Sequence, residues 1–482
     1  MDTFSLLTAW VLVFGQAGSL TEPSKPAPDG EKSQQPAPIL IDWIHANDFS
    51  MVGLRPGVYD YHATCGSRHG FEYLALRGYP QDYAYLGRLT PERLAPHKLL
   101  VINLVSAERE PFLVSEIMAI RSYVDCGGSL FLVTEHSNAY FHSHRLKPLL
   151  SMLGIASSTD TACEAPPLTL GRGSGWLAVT HFIDHPVTAG LRRIAMLSGG
   201  TVDRRYAVAL TSDKSWADQW RAGAYGEDNA SGFCGNFRRD ESEPLGPHGV
   251  VLAREYGRGR IVIVADQNMI SDNLINYADN YRLWLNAMAW LLRDPALADC
   301  SGYESWHSPR IVAYEPPEKP AFGCGDEDGY FNAMSLLARY HWLLVNDRFS
   351  EPANLRIFAD DRCALSAEQR RSLLEELSSG QTLLVLSPES PAGQAGAGSL
   401  ADLFRSPEFP GTVRRETPEE VIRELPGGGS VRWLEAEWVV DNEHLDPPSQ
   451  VPRAEQKRRA EWFLAKIQAI LDRGKKASAP DD

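Results

Sequence analysis

Three apolar runs constrain this chain more than any other feature, those within "KLLVINLV" (98–105), "SLFLV" (129–133) and "RIVIVAD" (260–266). A strand with one wet face alternates apolar and polar residues, whereas a strand that is apolar throughout must be covered on both faces. The segments between the runs supply the cover. Pro111 to Val124 carries Leu113, Ile117, Ile120 and Val124 at helical spacing and stops at Gly127 and Gly128. Arg145 to Leu153 reads as a helix ended by Gly154, and Tyr281 to Leu292 as a closing helix with Leu283, Ala287 and Trp290 on one face. Ile39 to Trp43 adds a first short strand, and Phe71 to Leu76 lies in a helix that ends near Gly78. Strands alternating with helices predict an α/β fold with a doubly wound, mostly parallel sheet. Residues 160–250, rich in Gly, Pro and Trp, follow neither period and read as an irregular insertion of loops.

The order of segments occurs twice. "CGSRHGFEYLALRGY" (65–79) matches "CGDEDGYFNAMSLLARY" (324–340), each with C-G-x-x-x-G before an aromatic-led helix. "LLVINLV" then corresponds to "NLRIFAD" (354–360), and 114–137 to 365–390, where Ser366 and Gln369 form a capping box. A period of about 260 residues is a domain duplication and not a solenoid. The domain reading is therefore 39–296 for the first copy and 297–475 for a second, degenerate copy that fades after Pro388 and ends in a charged amphipathic helix bearing Trp462, Ile467 and Ile470. Residues 476–482 read as a disordered tail.

The first 20 residues hold "FSLLTAWVLVF" followed by Ala17-Gly18-Ser19, the length and small-residue ending of a secretory signal, or of an anchor if uncleaved. Residues 21–38 are Pro-rich and read as a linker. The expectation is an exported protein, periplasmic or extracellular, touching a membrane only through that segment. The net charge of −15 argues against nucleic acid as a partner, because phosphate binding needs a basic face. The seven cysteines form no C-x-x-C pair, so no structural zinc site is expected, and no cofactor.

In an open α/β sheet, ligands bind beyond the carboxyl ends of the strands. The sequence places Asp42, His45 and Asn47 after the first strand, and Ser106, Glu108 and Arg109 after the second run. Glu135, His136, Ser137 and Asn138 follow the third, and Asp266, Asn268, Asp272 and Asn273 the last, with Asn276, Asp279 and Asn280 beyond. All four sets are expected on one rim, as a ligand-binding cleft. The competing reading is that these Asp, Asn and Ser side chains cap helices and satisfy loops. No compact metal motif is present. His136 and Glu135 are the candidates for acid–base work.

"YVDCGGSLFLVTEHSN" and "YGRGRIVIVADQNMISDN" together resemble the class I glutamine amidotransferase-like superfamily. They look most like its uncharacterised bacterial branch, related to domains found with gliding-motility and ABC-transporter accessory proteins. The resemblance covers roughly 39–292 and, more faintly, 310–390, and it implies a flavodoxin-like core. An active amidotransferase of this class carries a cysteine in a G-x-C-x-G elbow straight after the strand. Here the elbow reads Thr134-Glu135-His136-Ser137-Asn138, and the nearest thiol, Cys126, precedes the strand. Without a thiolate no glutamyl thioester forms. Two functions follow as expectations. One is a non-catalytic binding or scaffold protein of the cell envelope, a pseudoenzyme whose partner is a small molecule, a glycan or an envelope protein. The alternative is a hydrolase using His136 and nearby carboxylates, with or without a metal, on a glycan or peptide.

Overall fold

The computed structural model describes residues 36–46, 66–220, 235–306, 310–316, 320–347, 353–391, 394, 396–407, 409–410, 412–445 and 452–477. The expected signal segment, most of the linker, Asn47 and the end of the tail lie outside these residues.

The three apolar runs form the centre of an eight-stranded sheet. Its strands are β1 (Ile39–Asp42), β2 (Gln81–Ala84), β3 (Leu99–Ile102), β4 (Ser129–Val133), β7 (His181–Phe182), β9 (Ala207–Leu210), β11 (Gly249–Tyr256) and β12 (Gly259–Val264). Two separate ribbons pair β5 (Asp160–Cys163) with β10 (Trp216–Gln219) and β6 (Trp176–Val179) with β8 (Ile194–Leu197). The sheet order is β2-β1-β3-β4-β12-β11-β9-β7. From β2 to β12 the pairing is parallel; β11, β9 and β7 continue it antiparallel. The fold class is thus α/β, doubly wound, with the flavodoxin-like order 2-1-3-4-5 at its heart.

Helices α1 (Arg68–Leu76), α2 (Val114–Asp125), α3 (His142–Met152) and α4 (Asn280–Leu292) supply the cover that the runs demand. Leu99, Leu100, Val101 and Ile102 are completely buried. Trp284 of α4 packs edge-on against Phe71 of α1 and Phe131 of β4, with ring centroids 5.1 and 5.3 Å away. Leu113 is the N-cap of α2 and not part of its buried face, which Ile117, Ile120 and Val124 form. Helix α3 starts at His142, three residues before the expected Arg145. Tyr140 and Phe141 adopt positive φ, and the turn they make lets the His142 ring bond Ala139 O at 2.8 Å. The 160–250 insertion is more regular than its composition indicated. It extends the main sheet through β7, β9 and the start of β11, and its short strands escape a periodicity reading because few exceed four residues.

The second sheet has seven strands: β13 (Arg310–Tyr314), β14 (Trp342–Asn346), β15 (Leu355–Phe358), β16 (Thr382–Val385), β17 (Val413–Glu416), β18 (Glu420–Glu424) and β19 (Ser430–Leu434). Their order, β14-β13-β15-β16-β19-β18-β17, repeats that of the first sheet strand for strand, without an equivalent of β7. The chain does not fade after Pro388, as the sequence led us to expect. It goes on to complete the sheet with the β18–β19 hairpin, whose turn carries Gly428 at φ 84°. The cause of the misreading is Arg432, which interrupts the apolar run of β19 and is buried against Glu420 at 2.8 Å. The predicted capping box is present on α6 (Ala367–Ser378), as is α5 (Phe331–Tyr340) after the second C-G-x-x-x-G. The terminal helix α7 (Arg453–Ala477) buries Phe463, Ile467, Ile470 and Leu471, while Trp462 is only partly buried against that core.

The two sheets are joined by the loop between β12 and α4. Tyr277 bridges to Val345 on the edge strand β14, and Asn276 O and Ala278 N exchange backbone bonds with Val345 at 2.9 and 2.8 Å. Among the described residues no helix is long and apolar enough to cross a membrane.

Candidate functional site

The four loops do gather at the carboxyl ends of the strands, linked by Ser106 N to His45 O at 3.1 Å, Ala107 N to Tyr140 O at 2.8 Å and Gln267 N to the Glu135 carboxyl at 3.4 Å. Their side chains, however, divide into separate clusters, and nearly all turn inward.

The first cluster lies at the tip of β1. Asp42 accepts from Ile44 N at 3.0 Å and meets His45 Nδ1 at 2.8 Å. The His45 ring stacks on Phe112 with centroids 3.9 Å apart, and its Nε2 lies 3.8 Å from Glu116 Oε1. All three ionisable residues are buried. Glu116 was not foreseen. At the start of α2 it reads as an ordinary first-turn acid, and its side chain does accept Leu113 N at 2.9 Å and Leu89 N at 3.0 Å.

The second cluster is the elbow after β4. Glu135 accepts from His136 N at 2.9 Å and Gln267 N at 3.4 Å. Asp266 accepts from Leu197 N at 2.5 Å and from Asn268 N at 2.7 Å. Burial, with the Asp266 charge beside it, pushes the Glu135 carboxyl well above its ordinary range, and burial pushes Asp266 up to about 7. His142 lies behind them. Its Nδ1 faces Ala139 O, which can only accept, and its Nε2 takes Glu135 N at 3.1 Å, which can only donate. The ring is therefore the neutral Nδ1–H tautomer, consistent with burial lowering its pKa to about 4. Ser143 Oγ lies 3.0 Å from the same Nε2, a pair that the sequence did not flag, but its hydroxyl also donates to Ser137 O at 3.0 Å and the Nε2 lone pair already takes Glu135 N.

What decides the chemistry is the lid of backbone above. Ser137, at φ 50°, donates its N–H to Asp160 O at 2.6 Å, and its hydroxyl meets Thr161 Oγ1 at 2.8 Å. Gly200 N donates to Ala265 O at 3.0 Å, and Gly199 O receives Ala162 N at 2.9 Å. A Cβ on Gly200 would stand 2.7 Å from Glu135 O, and one on Gly199 would stand 2.7 Å from Asp266 Cβ. Only a side-chain-free strand of backbone fits across these strand ends. The space left, lined by Thr134, Glu135, His142, Ser143, Ser158 and Thr201, is a cavity of about 20 Å³, room for one water. His136 is partly exposed beside it, and Asn138 is spent on His144, its Nδ2 3.1 Å from that ring's Nδ1.

The remaining candidates lead away from the elbow. Glu108 is exposed. Asp272 accepts His69 N at 2.8 Å, and Asn273 pairs with Ser271 and Asn268. Asn276 receives Tyr303 O–H at 2.7 Å, Asp279 receives Arg192 N at 2.8 Å, and Asn280 brackets Ala195 through its N–H and C=O. Asp272 thus fastens the β12–α4 loop to α1, while Asn276, Asp279 and Asn280 fasten it to Tyr303 and the insertion. Among the described residues no group of three or more His, Cys, Asp or Glu is placed to hold a metal ion.

Burial raises the Asp272 pKa from 3.8 to about 7. Between those values the folded state holds a proton that the unfolded chain has released, so stability falls as pH rises across the window and levels off above it. Buried His69, lowered to about 4, acts in the opposite sense, costing stability as pH falls below 6.5. The two blunt each other in the native protein, but a difference measurement separates them. The stability of Asp272→Asn relative to the native chain is expected to climb from about pH 4 to pH 7 and then stay flat, as read from urea melts at each pH.

No protein-family model matches this chain, and no curated protein matches it. Among solved structures, the mmIFT52 N-terminal domain is similar at 14% identity over 52% of this chain and 96% of its own, with a TM-score of 0.37. Cytoplasmic protein STM3548 from Salmonella typhimurium is similar at 14% identity over 52% of this chain and 97% of its own, TM-score 0.30. A ThuA-like protein from Bacteroides uniformis is similar at 12% identity over 55% and 95%, TM-score 0.27. The fold class rests on the strand order above and not on these likenesses.

Proposed function

We propose that this chain is a non-catalytic binding or scaffold protein of the cell envelope, built on an amidotransferase-like fold that has lost its nucleophile. The observation that carries the reading is the Gly199–Gly200 backbone packed across the elbow, behind which the pocket at Glu135, His142 and Ser143 holds only about 20 Å³. A pocket for a small organic ligand needs at least roughly 300 Å³. The polar residues around it are committed to backbone N–H groups of their own and neighbouring loops, as the loop-satisfying reading of the sequence anticipates. The envelope location rests on the signal-like N-terminal segment alone.

The hydrolase reading keeps one observation in its favour, the pair of buried carboxyls with raised pKa beside a serine and a histidine. Against it, the pocket beside Glu135, His142 and Ser143 holds only about 20 Å³ among the described residues. Two measurements separate the readings. The purified protein is expected to cleave chromogenic glycosides and peptides no faster than buffer does, and to carry no divalent metal in stoichiometric amount. One tightly held ion, lost in His136→Ala, would transfer support to the hydrolase.

A further inference from the structure

At the β9–β11 end of the first sheet these two strands floor a shallow, wide-open surface groove. One wall is Tyr206 with two arginines. The Arg254 guanidinium lies 4.1 Å over the Tyr206 ring and 5.3 Å over that of Tyr256, and Arg205 lies 5.3 Å over Tyr206. The other wall is His185 and Pro186, backed by Trp290, whose ring is 4.9 Å from that of His185.

Both arginines are held in place without being used up. Arg254 donates Nη1 to Leu153 O at 3.2 Å and Nε to Glu255 O at 3.4 Å, which leaves Nη2 without a hydrogen-bond partner among the described residues. Arg205 grips Asp203 through Nε and Nη2 and leaves Nη1 in the same condition. Behind them Arg260 stacks on Trp290 at 5.0 Å, close enough to Arg293 to feel its charge. Four arginines, Arg205, Arg254, Arg260 and Arg293, stand here against Asp184, Asp203 and Glu255, on a chain of net charge −15. Guanidinium groups fixed by stacking, with outward N–H edges, are the standard receptor for a tetrahedral oxyanion.

We propose that this groove binds a small phosphomonoester, with the phosphate on Arg254 and Arg205 and the organic part across His185 and Pro186. The site is separate from the elbow and goes beyond the function proposed above, so its failure leaves the closed-elbow reading standing.

The test is titration of the full chain with AMP, glucose 6-phosphate, adenosine and inorganic phosphate, followed by calorimetry. At least one phosphomonoester is expected to bind with Kd below about 1 mM, more tightly than adenosine and than inorganic phosphate, and more weakly as salt rises. Arg254→Gln is expected to weaken it about tenfold or more, the worth of a charged hydrogen bond, with Arg254→Lys in between and Glu135→Gln unchanged. A thermal melt confirms that each variant is folded. Absence of saturable binding by both phosphomonoesters overturns the proposal. So does adenosine or inorganic phosphate binding as tightly, or an unchanged affinity in folded Arg254→Gln.

Discussion

Replacing Glu315 with alanine is expected to lower the stability of the protein by about 3–5 kcal/mol, the cost of breaking a buried charge cluster from one side. Glu315 follows β13, is fully buried, and serves as the acceptor for much of the junction between the two sheets. Tyr277 O–H, Ala321 N at 2.9 Å, Phe322 N at 2.5 Å and Gly323 N at 3.2 Å all donate to it. The Arg193 guanidinium stands 3.7 Å away and over the Tyr277 ring. Truncation strands these donors and leaves a buried cation beside a void. Tyr277→Phe, which removes one donor and leaves the carboxylate its others, is expected to cost only about 1 kcal/mol. Guanidinium denaturation of both variants checks the ranking, and equal losses would mean that the carboxylate is not the centre of the junction.

Gly200→Val is the second large effect, expected at about 1–3 kcal/mol or more from overpacking alone. In a domain of this size each kcal/mol lowers Tm by about 2–4 °C. Its Cβ would stand 2.7 Å from Glu135 O and 3.2 Å from Asp160 O, and both neighbours are backbone that cannot swing aside. Gly173→Ala is the control, because nothing lies within 4 Å of a Cβ there. A melt of Gly200→Val as high as that of the control would mean that the backbone above the elbow gives way easily, and the occlusion argument would weaken with it.

The parts of the fold legible in the sequence were those where one side-chain pattern carries the whole signal. β3, β4 after Ser129 and β12 after Arg260 are apolar because helices cover both faces, and the chain spells this out. β2 was not legible: "QDYA" lies at the sheet edge, with Asp82 and Tyr83 exposed. β19 was masked by Arg432, which only its partner Glu420 makes tolerable in a core. For the site, the sequence gives position but not direction. It places Asp266 at a strand end, yet its partner Leu197 N is 69 residues away. Nothing local announces that Gly199 and Gly200 will cross the elbow, because a glycine pair reads first as a turn.

The closed elbow is the central claim, and amide hydrogen exchange tests it most directly. The N–H groups of Thr134, Ser137, Ala162 and Gly200 each donate to backbone across the lid, to Val264, Asp160, Gly199 and Ala265 respectively. If the lid is part of the folded core, peptides spanning 133–143, 160–164 and 198–203 will exchange as slowly as the central strands, near the global unfolding limit. If those peptides exchange as fast as exposed loops while β3 and β12 stay protected, the elbow opens in the native state, and the occlusion on which the non-catalytic reading rests is wrong.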